Sequence, residues 1–468
     1  MLFNSISFLL FFPVVCIVCY LIPSLRFRNL FLLFASYYFY MNWEPVYALL
    51  LLSSTVITYV FAIEIERSNQ IPRRKLFLTA NIILNLGILF FFKYWNFAAE
   101  QVSMLFCSTG LGMEVPEFSI LLPVGISFYT FQALGYSIDV YRKDVRAERD
   151  FFTYALFVSF FPQLVAGPIE RSRNLLPQFK KLKKFDYDTV MAGVNLMIWG
   201  YFLKLVMADR CGMYVDAIYN NVEMHNGGSY LLASLLFPFQ IYGDFAGYSL
   251  IAIGAAKVMG FKLMENFHRP YFSQSVGEFW HRWHISLSTW FKDYVYIPLG
   301  GNRVSKTRCY FNLMVTFVVS GIWHGANWTF LIWGALHGAI LCAEKSLGFV
   351  RHGKPQCFSS LARRVSTFLI VSTAWIFFRA NNIQDALIVV HGIFFDFGKP
   401  YLRIAVLIAA VISLIVLFAK EICEEFNLNI HISDSRFWIV RHLYIVIMIA
   451  YIILLGVLNG DQFIYFQF

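Results

Sequence analysis

Long apolar runs, each closed by a polar or basic loop, recur along the chain, and several approach the roughly 20 residues that a membrane-crossing helix needs. The first covers residues 2–23. It lacks a basic n-region and an A-x-A cleavage pattern, so it reads as a retained helix and not as a cleaved leader. Further runs lie at 191–207, 230–259, 311–333, 367–378, 404–418 and 439–455; that at 230–259 is interrupted by Pro238 and by the polar pair Tyr242 and Asp244. Residues 151–166 are apolar but short, with basic residues at both ends, which predicts a segment that dips in and out or lies at the interface. The stretch 170–185 is basic with interleaved apolar residues. An amphipathic helix on an anionic leaflet and a solvated basic loop both fit it. The pattern predicts an all-α polytopic membrane protein of roughly eleven to thirteen membrane segments, some re-entrant. With no internal repeat, low-complexity tract or detachable soluble domain in view, residues 1–468 are expected to form a single integral-membrane domain.

Composition agrees: 59% of residues are hydrophobic and 14% charged, far from a soluble balance. A net charge of +10 would suggest nucleic acid as a partner of a soluble protein; here it reflects basic loops beside a membrane, and no nucleic-acid partner is expected. Arg26 and Arg28, then Arg67, Arg73, Arg74 and Lys75, then Arg142, Lys143, Arg146 and Arg149 mark one side. Residues 97–119 carry Glu100, Glu114 and Glu117 but no Lys or Arg, and mark the other. The positive-inside rule therefore sets the basic loops in the cytoplasm and the N-terminus and the 100–117 loop outside. Eight cysteines show no framework spacing, and the Cys16/Cys19 pair sits alone in an apolar run, so no metal is expected.

Against that background His324 is out of place. It lies in 311–333, FNLMVTFVVSGIWHGANWTFLIW, which has no Asp, Glu, Lys or Arg. Ionisable groups at membrane depth are costly and usually face a site or pathway. Gly321 and Gly325 permit a break or a close approach, and Asn327 can satisfy freed backbone groups. A second chemical cluster falls in the basic stretch 262–308. Ser275 and Glu278 form a capping-box pattern that predicts a helix, on which His281, His284 and Ser288 share a face, ending before Pro298. Two histidines at this spacing without a carboxylate or cysteine make a poor metal site. Neither a Walker-type nor a dinucleotide-binding glycine motif is present.

GEFWHRWHISLSTWFKDYVYIPLGGNR (277–303) and SGIWHGANWTFLIWGALHG (320–338) resemble the two signature regions of the membrane-bound O-acyltransferase (MBOAT) family, in its alginate O-acetyltransferase-like branch. FPQLVAGPIERSRNLLPQF (161–179), QIYGDFAGYSLIAIGAAKVMGF (240–261), WIFFRA (375–380) and FIYFQF (463–468) agree. Ala246 and Leu250 depart from the branch's usual pattern of a serine and an acidic residue. The resemblance implies the MBOAT fold, with membrane segments around a central tunnel that holds His324. It implies that His324 is the catalytic histidine and that His284, in Arg282-Trp283-His284, is the second. On one continuous helix His337 would lie on a face about 220° round from His324, and it reads as structural.

Acyl transfer from a thioester to a hydroxyl needs a base and donors for the developing oxyanion. An apolar setting favours the neutral imidazole that a base requires. Asn327 and Trp323 are candidate donors, and Arg282, Lys292 and Arg303 are candidates to meet the phosphates of the acyl donor. The expected activity is O-acetyl transfer, with acetyl-CoA as substrate and no bound cofactor, to an envelope or exopolysaccharide polymer. Membrane lipid surrounds the chain, and a separate periplasmic or extracellular acetyltransferase is the expected partner. D-alanyl transfer from a carrier protein is the alternative within the class, and a non-catalytic transporter the alternative outside it.

Overall fold

The computed structural model describes residues 1–348, 357–428 and 435–457, apart from 111, 120, 166 and 436. The segment 463–468 quoted above lies outside the described residues. Every regular element among those described is helical. Six helices are long and apolar enough to cross a bilayer: Tyr47–Arg67, Ile71–Lys93, Tyr187–Tyr219, Ser360–Arg379, Ile404–Glu425 and Trp438–Leu455. Ile6–Leu21 and Ile383–Phe395 are shorter apolar helices. That is fewer than the expected eleven to thirteen; the run at 230–259, expected to be interrupted, is one continuous helix, Gly227–Val258, and is not among the six. The chain is a multi-pass membrane protein.

The chain packs into two compact units, one of residues 1–193 with 255–264, the other of 194–254 with 265–468. In the first, helices Tyr47–Arg67, Ile71–Lys93 and Ile126–Arg142 are joined by buried side-chain amides and hydroxyls. Ser54 donates to Asn85 (2.6 Å), Asn85 to Asn81 (2.7 Å), and Asn81 to Ser137 (2.6 Å). Polar links of this kind hold helices together where burial of apolar surface against apolar lipid gives little. The short run after Arg149 forms two helices, Phe151–Ser159 and Phe161–Leu164, whose side chains are almost all buried in protein. Beyond it, Ser172–Phe179 is helical, with Leu175, Leu176 and Phe179 buried. Arg28 donates to the carbonyls of Phe179 (3.2 Å) and Lys181 (2.8 Å), which anchors the end of that helix.

The second unit carries the chemistry. A π-helical turn, Phe202–Ala208, interrupts the helical run before Asp209–Tyr219. It holds Lys204, 2% exposed, against Asp209 (2.7 Å) and Asp244 (2.6 Å). Asp244, which interrupts an apolar run in the sequence, is thereby half of an ion pair. Tyr242 donates to Glu421 at 2.5 Å.

The run 311–333 is not one continuous helix. Lys306–His324 ends at His324, and Trp328–Ser346 begins a new helix, capped by Asn327, whose side chain accepts from Thr329 N–H (3.0 Å). The two helices form a hairpin that closes glycine on glycine: the Cα of Gly334 would lie 3.3 Å from a Cβ built on Gly321. The break removes the premise that set His337 on a different face from His324.

Candidate active site

The helix predicted after Ser275 begins there, Ser275 Oγ accepting from Glu278 N–H at 3.0 Å. It stops sooner than expected, at Arg282. His284 adopts φ +42°, in the left-handed region, and caps a second helix, Ile285–Phe291. The expected polar face of His281, His284 and Ser288 is therefore split: His281 is exposed, while His284 is fully buried. The segment 266–268 imposes the break, since His268 N–H donates to Arg282 O and Ile285 N–H to Asn266 O, both at 2.9 Å. A non-glycine residue held at positive φ is uncommon, and such positions cluster at functional sites.

Asn266 also sets the protonation of His284. Its Oδ1 accepts from Ser286 N–H (3.2 Å) and Ser286 O–H (2.8 Å), while its Nδ2 donates to Ser249 (3.1 Å). With the oxygen so assigned, the contact of 3.0 Å to His284 Nδ1 makes that nitrogen the donor. The neutral ring then carries its lone pair on Nε2. Burial pushes the imidazole down to about 3, so it is uncharged at neutral pH. Phe245 meets the ring edge-on, with centroids 4.5 Å apart.

His324, 3% exposed, is enclosed by aromatic rings: Trp323 (5.0 Å), Trp333 (5.0 Å) and Phe378 (5.3 Å) stand at steep angles to it. Trp323 lies 6.2 Å from the His284 ring, so one indole adjoins both histidines. Trp333 likewise adjoins both His324 and His337, the latter at 5.1 Å. The structure thus brings together His284, His324 and Trp323, with His337 beside them.

The other candidates fall elsewhere. Asn327 uses its carbonyl as a helix cap and donates its amide to Asn381 O (2.8 Å), so its donors are directed to the loop. Arg282 pairs with Glu278 (2.7 Å) and Glu425 (3.0 Å), in a cluster where Arg269 pairs with Glu425 (2.8 Å) and Glu424 (3.3 Å). Lys292 and Arg303 are exposed. Asn266, Ser286, Trp333 and Phe378 did not stand out in the sequence. Asn266 acts on a histidine 18 residues away, and no helical or strand spacing flags that separation.

Two buried histidines on helix ends thus share one aromatic enclosure within a multi-pass helical protein. The sequence profile described as MBOAT, membrane-bound O-acyltransferase family, matches residues 145–383. The chain is 41% identical over 387 residues to a probable alginate O-acetylase, AlgI, of Pseudomonas aeruginosa, covering 82% of this chain and 73% of that protein. It is 34% identical over 423 residues to the peptidoglycan O-acetyltransferase of Helicobacter pylori, covering 84% and 79%. A teichoic acid D-alanyltransferase of Streptococcus thermophilus is 32% identical over 233 residues, 47% of this chain and 56% of that one. The chain belongs to the membrane-bound O-acyltransferase family, and it is an O-acyltransferase.

Proposed function

We propose that this protein takes acetyl groups from cytoplasmic acetyl-CoA and passes them across a bacterial inner membrane for O-acetylation of a cell-envelope polysaccharide. The observation that carries the reading is the enclosure of His324 and His284 in one buried aromatic site, joined by Trp323. The relatives named as alginate and peptidoglycan O-acetyltransferases support acetyl as the group moved and an envelope polymer as its destination.

In the reaction, a hydroxyl oxygen attacks the thioester carbonyl carbon, the C–S bond breaks, and an ester and a free thiol result. His324 takes the hydroxyl proton and returns it to the departing thiolate, the role of a neutral imidazole in an apolar enclosure. His284, its Nδ1–H committed to Asn266, presents Nε2 as an acceptor for an amide N–H of the acyl donor and so orients the thioester end. The exposed Lys292 and Arg303 are the groups to meet the CoA phosphates, whereas Arg282 is engaged by two carboxylates. A tunnel past His324 gives the thioester and the hydroxyl access from opposite faces. A separate periplasmic acetyltransferase receives the acetyl group and places it on the polymer.

The D-alanyltransferase relative favours one second reading, in which the acyl group arrives on a carrier-protein thioester. The test uses the full chain in nanodiscs. Wild type is expected to release CoA from acetyl-CoA, and His324→Ala to lose about 10²–10⁴-fold in rate at equal protein. Near-normal rates in His324→Ala would refute the assignment. Consumption of a D-alanyl carrier protein in place of acetyl-CoA would establish the second reading.

A further inference from the structure

His337 and Trp333 form a pair of buried donors that the reaction as described leaves unused. They lie four residues apart on the helix Trp328–Ser346, hence on one face, and both are 0% exposed. The indole N–H of Trp280 donates to His337 Nδ1 at 3.2 Å. An indole nitrogen can only donate, so Nδ1 must accept, and the neutral ring carries its proton on Nε2. His337 is therefore held as a donor and not as a base. Among the described residues neither His337 Nε2 nor Trp333 Nε1 has a hydrogen-bond partner.

A buried donor without an acceptor costs about 1–3 kcal/mol, and native proteins seldom leave two side by side. These two rings are 5.1 Å apart, and the Trp333 ring is 5.0 Å from His324. The shared acceptor these donors call for is an uncharged or partly charged oxygen. A full anion would be poorly balanced by two neutral donors. Trp375, stacked on Trp333 at 5.5 Å, backs the indole and limits its rotation.

We infer that Trp333 Nε1–H and His337 Nε2–H form a binding subsite for the acyl carbonyl oxygen, beside His324, and stabilise the charge that develops on that oxygen during transfer. The inference rests on the acyl-transfer reading above. It gives His337 a part that its expected place on another helix face had excluded. Neutral donors suit the purpose because they strengthen as the oxygen becomes negative and need no counter-ion at membrane depth.

The test compares Trp333→Phe, His337→Phe and His337→Gln with wild type in nanodiscs, using acetyl-CoA turnover at matched folded protein. Each Phe variant keeps a ring and removes the donor, and should lower kcat by about 10²-fold with little change in KM. Gln keeps a donor near the Nε2 position and should recover most of the loss. If His337→Gln is as impaired as His337→Phe, or if losses follow only the amount of folded protein, the subsite is refuted. A cryo-EM map of the unmodified chain gives a reading independent of turnover. Oxygen-sized density within about 3.2 Å of both nitrogens is expected, water in the resting enzyme. Protein acceptors capping both nitrogens, or rings turned apart, would overturn the inference even if acetyl transfer itself stands. Failure of wild type to use acetyl-CoA, with the bridging density present, would count against the donor substrate alone.

Discussion

Replacing Asn266 by leucine removes the control of the His284 tautomer without touching either histidine. The amide oxygen accepts three hydrogen bonds, from His284 Nδ1–H (3.0 Å), Ser286 N–H (3.2 Å) and Ser286 O–H (2.8 Å). In leucine all three donors lose it. The Ser286 hydroxyl, 3.4 Å from His284 Nδ1, can turn to recapture the ring. One or two donors then stay unsatisfied, a cost of about 2–4 kcal/mol in a buried site. The larger effect is chemical. Freed from Asn266, His284 exchanges its lone pair between Nε2 and Nδ1, and turnover should fall by at least about 10²-fold. Asn266→Asp separates the two effects. A carboxylate accepts the same three bonds and keeps the tautomer, but its charge raises the imidazole from about 3 toward its ordinary range. That variant should remain active at high pH and lose activity over a higher acid range than wild type. The assay is acetyl-CoA turnover from pH 5 to pH 9, with melting followed by fluorescence-detected gel filtration. Near wild-type turnover in Asn266→Leu with an unaltered pH profile would refute the tautomer argument.

Three further outcomes follow from the same geometry. Burial lowers His284 to about 3 in the folded chain, so between pH 6.5 and pH 3 only the unfolded chain takes up that proton; stability should fall as pH falls, by about 1.4 kcal/mol per unit, and His284→Gln should flatten the decline seen in melting. Lys204→Met removes the ammonium between Asp209 and Asp244 and should destabilise the second unit by about 3–5 kcal/mol, read as loss of folded protein in membranes. Joint replacement of Lys292 and Arg303 by Gln should raise KM for acetyl-CoA and reduce its salt dependence, whereas Arg282→Gln, which breaks pairs with Glu278 and Glu425, should act on stability with KM little changed.

Periodicity and charge made the helical membrane class legible, and a titratable residue in a charge-free run singled out His324. The capping box at Ser275 and Glu278 was legible because a helix start is a local event. What the sequence hid was where helices end. Gly321, Gly325 and Asn327 allowed for a break in the run 311–333, but its place at 325–327 depends on a hairpin contact between Gly321 and Gly334. The early stop at Arg282 depends on backbone bonds from 266–268, which no window around His284 contains. Both breaks fall at a histidine. The ion pair of Lys204 with Asp244 was hidden in the same way, its partners lying 40 residues apart on different helices.

The closing of the hairpin bears on how mutational data from this protein will look. A Cβ on Gly321 would sit 2.3 Å from Phe330 O, one on Gly334 2.3 Å from Phe317 O, and one on Gly325 2.2 Å from the Phe330 ring. At Gly321 and Gly334 the obstacle is backbone, which cannot yield as a flexible side-chain tip can, so even alanine must push the two helices apart; at Gly325 the Phe330 ring itself would have to move. An alanine scan of this region, scored by activity alone, will report these glycines among its heaviest losses although they have no group to offer a substrate. His324→Ala, by contrast, leaves the hairpin intact. Ranking positions by lost activity would therefore mix scaffold with chemistry, and the two separate only when each variant's yield of folded protein is measured beside its rate.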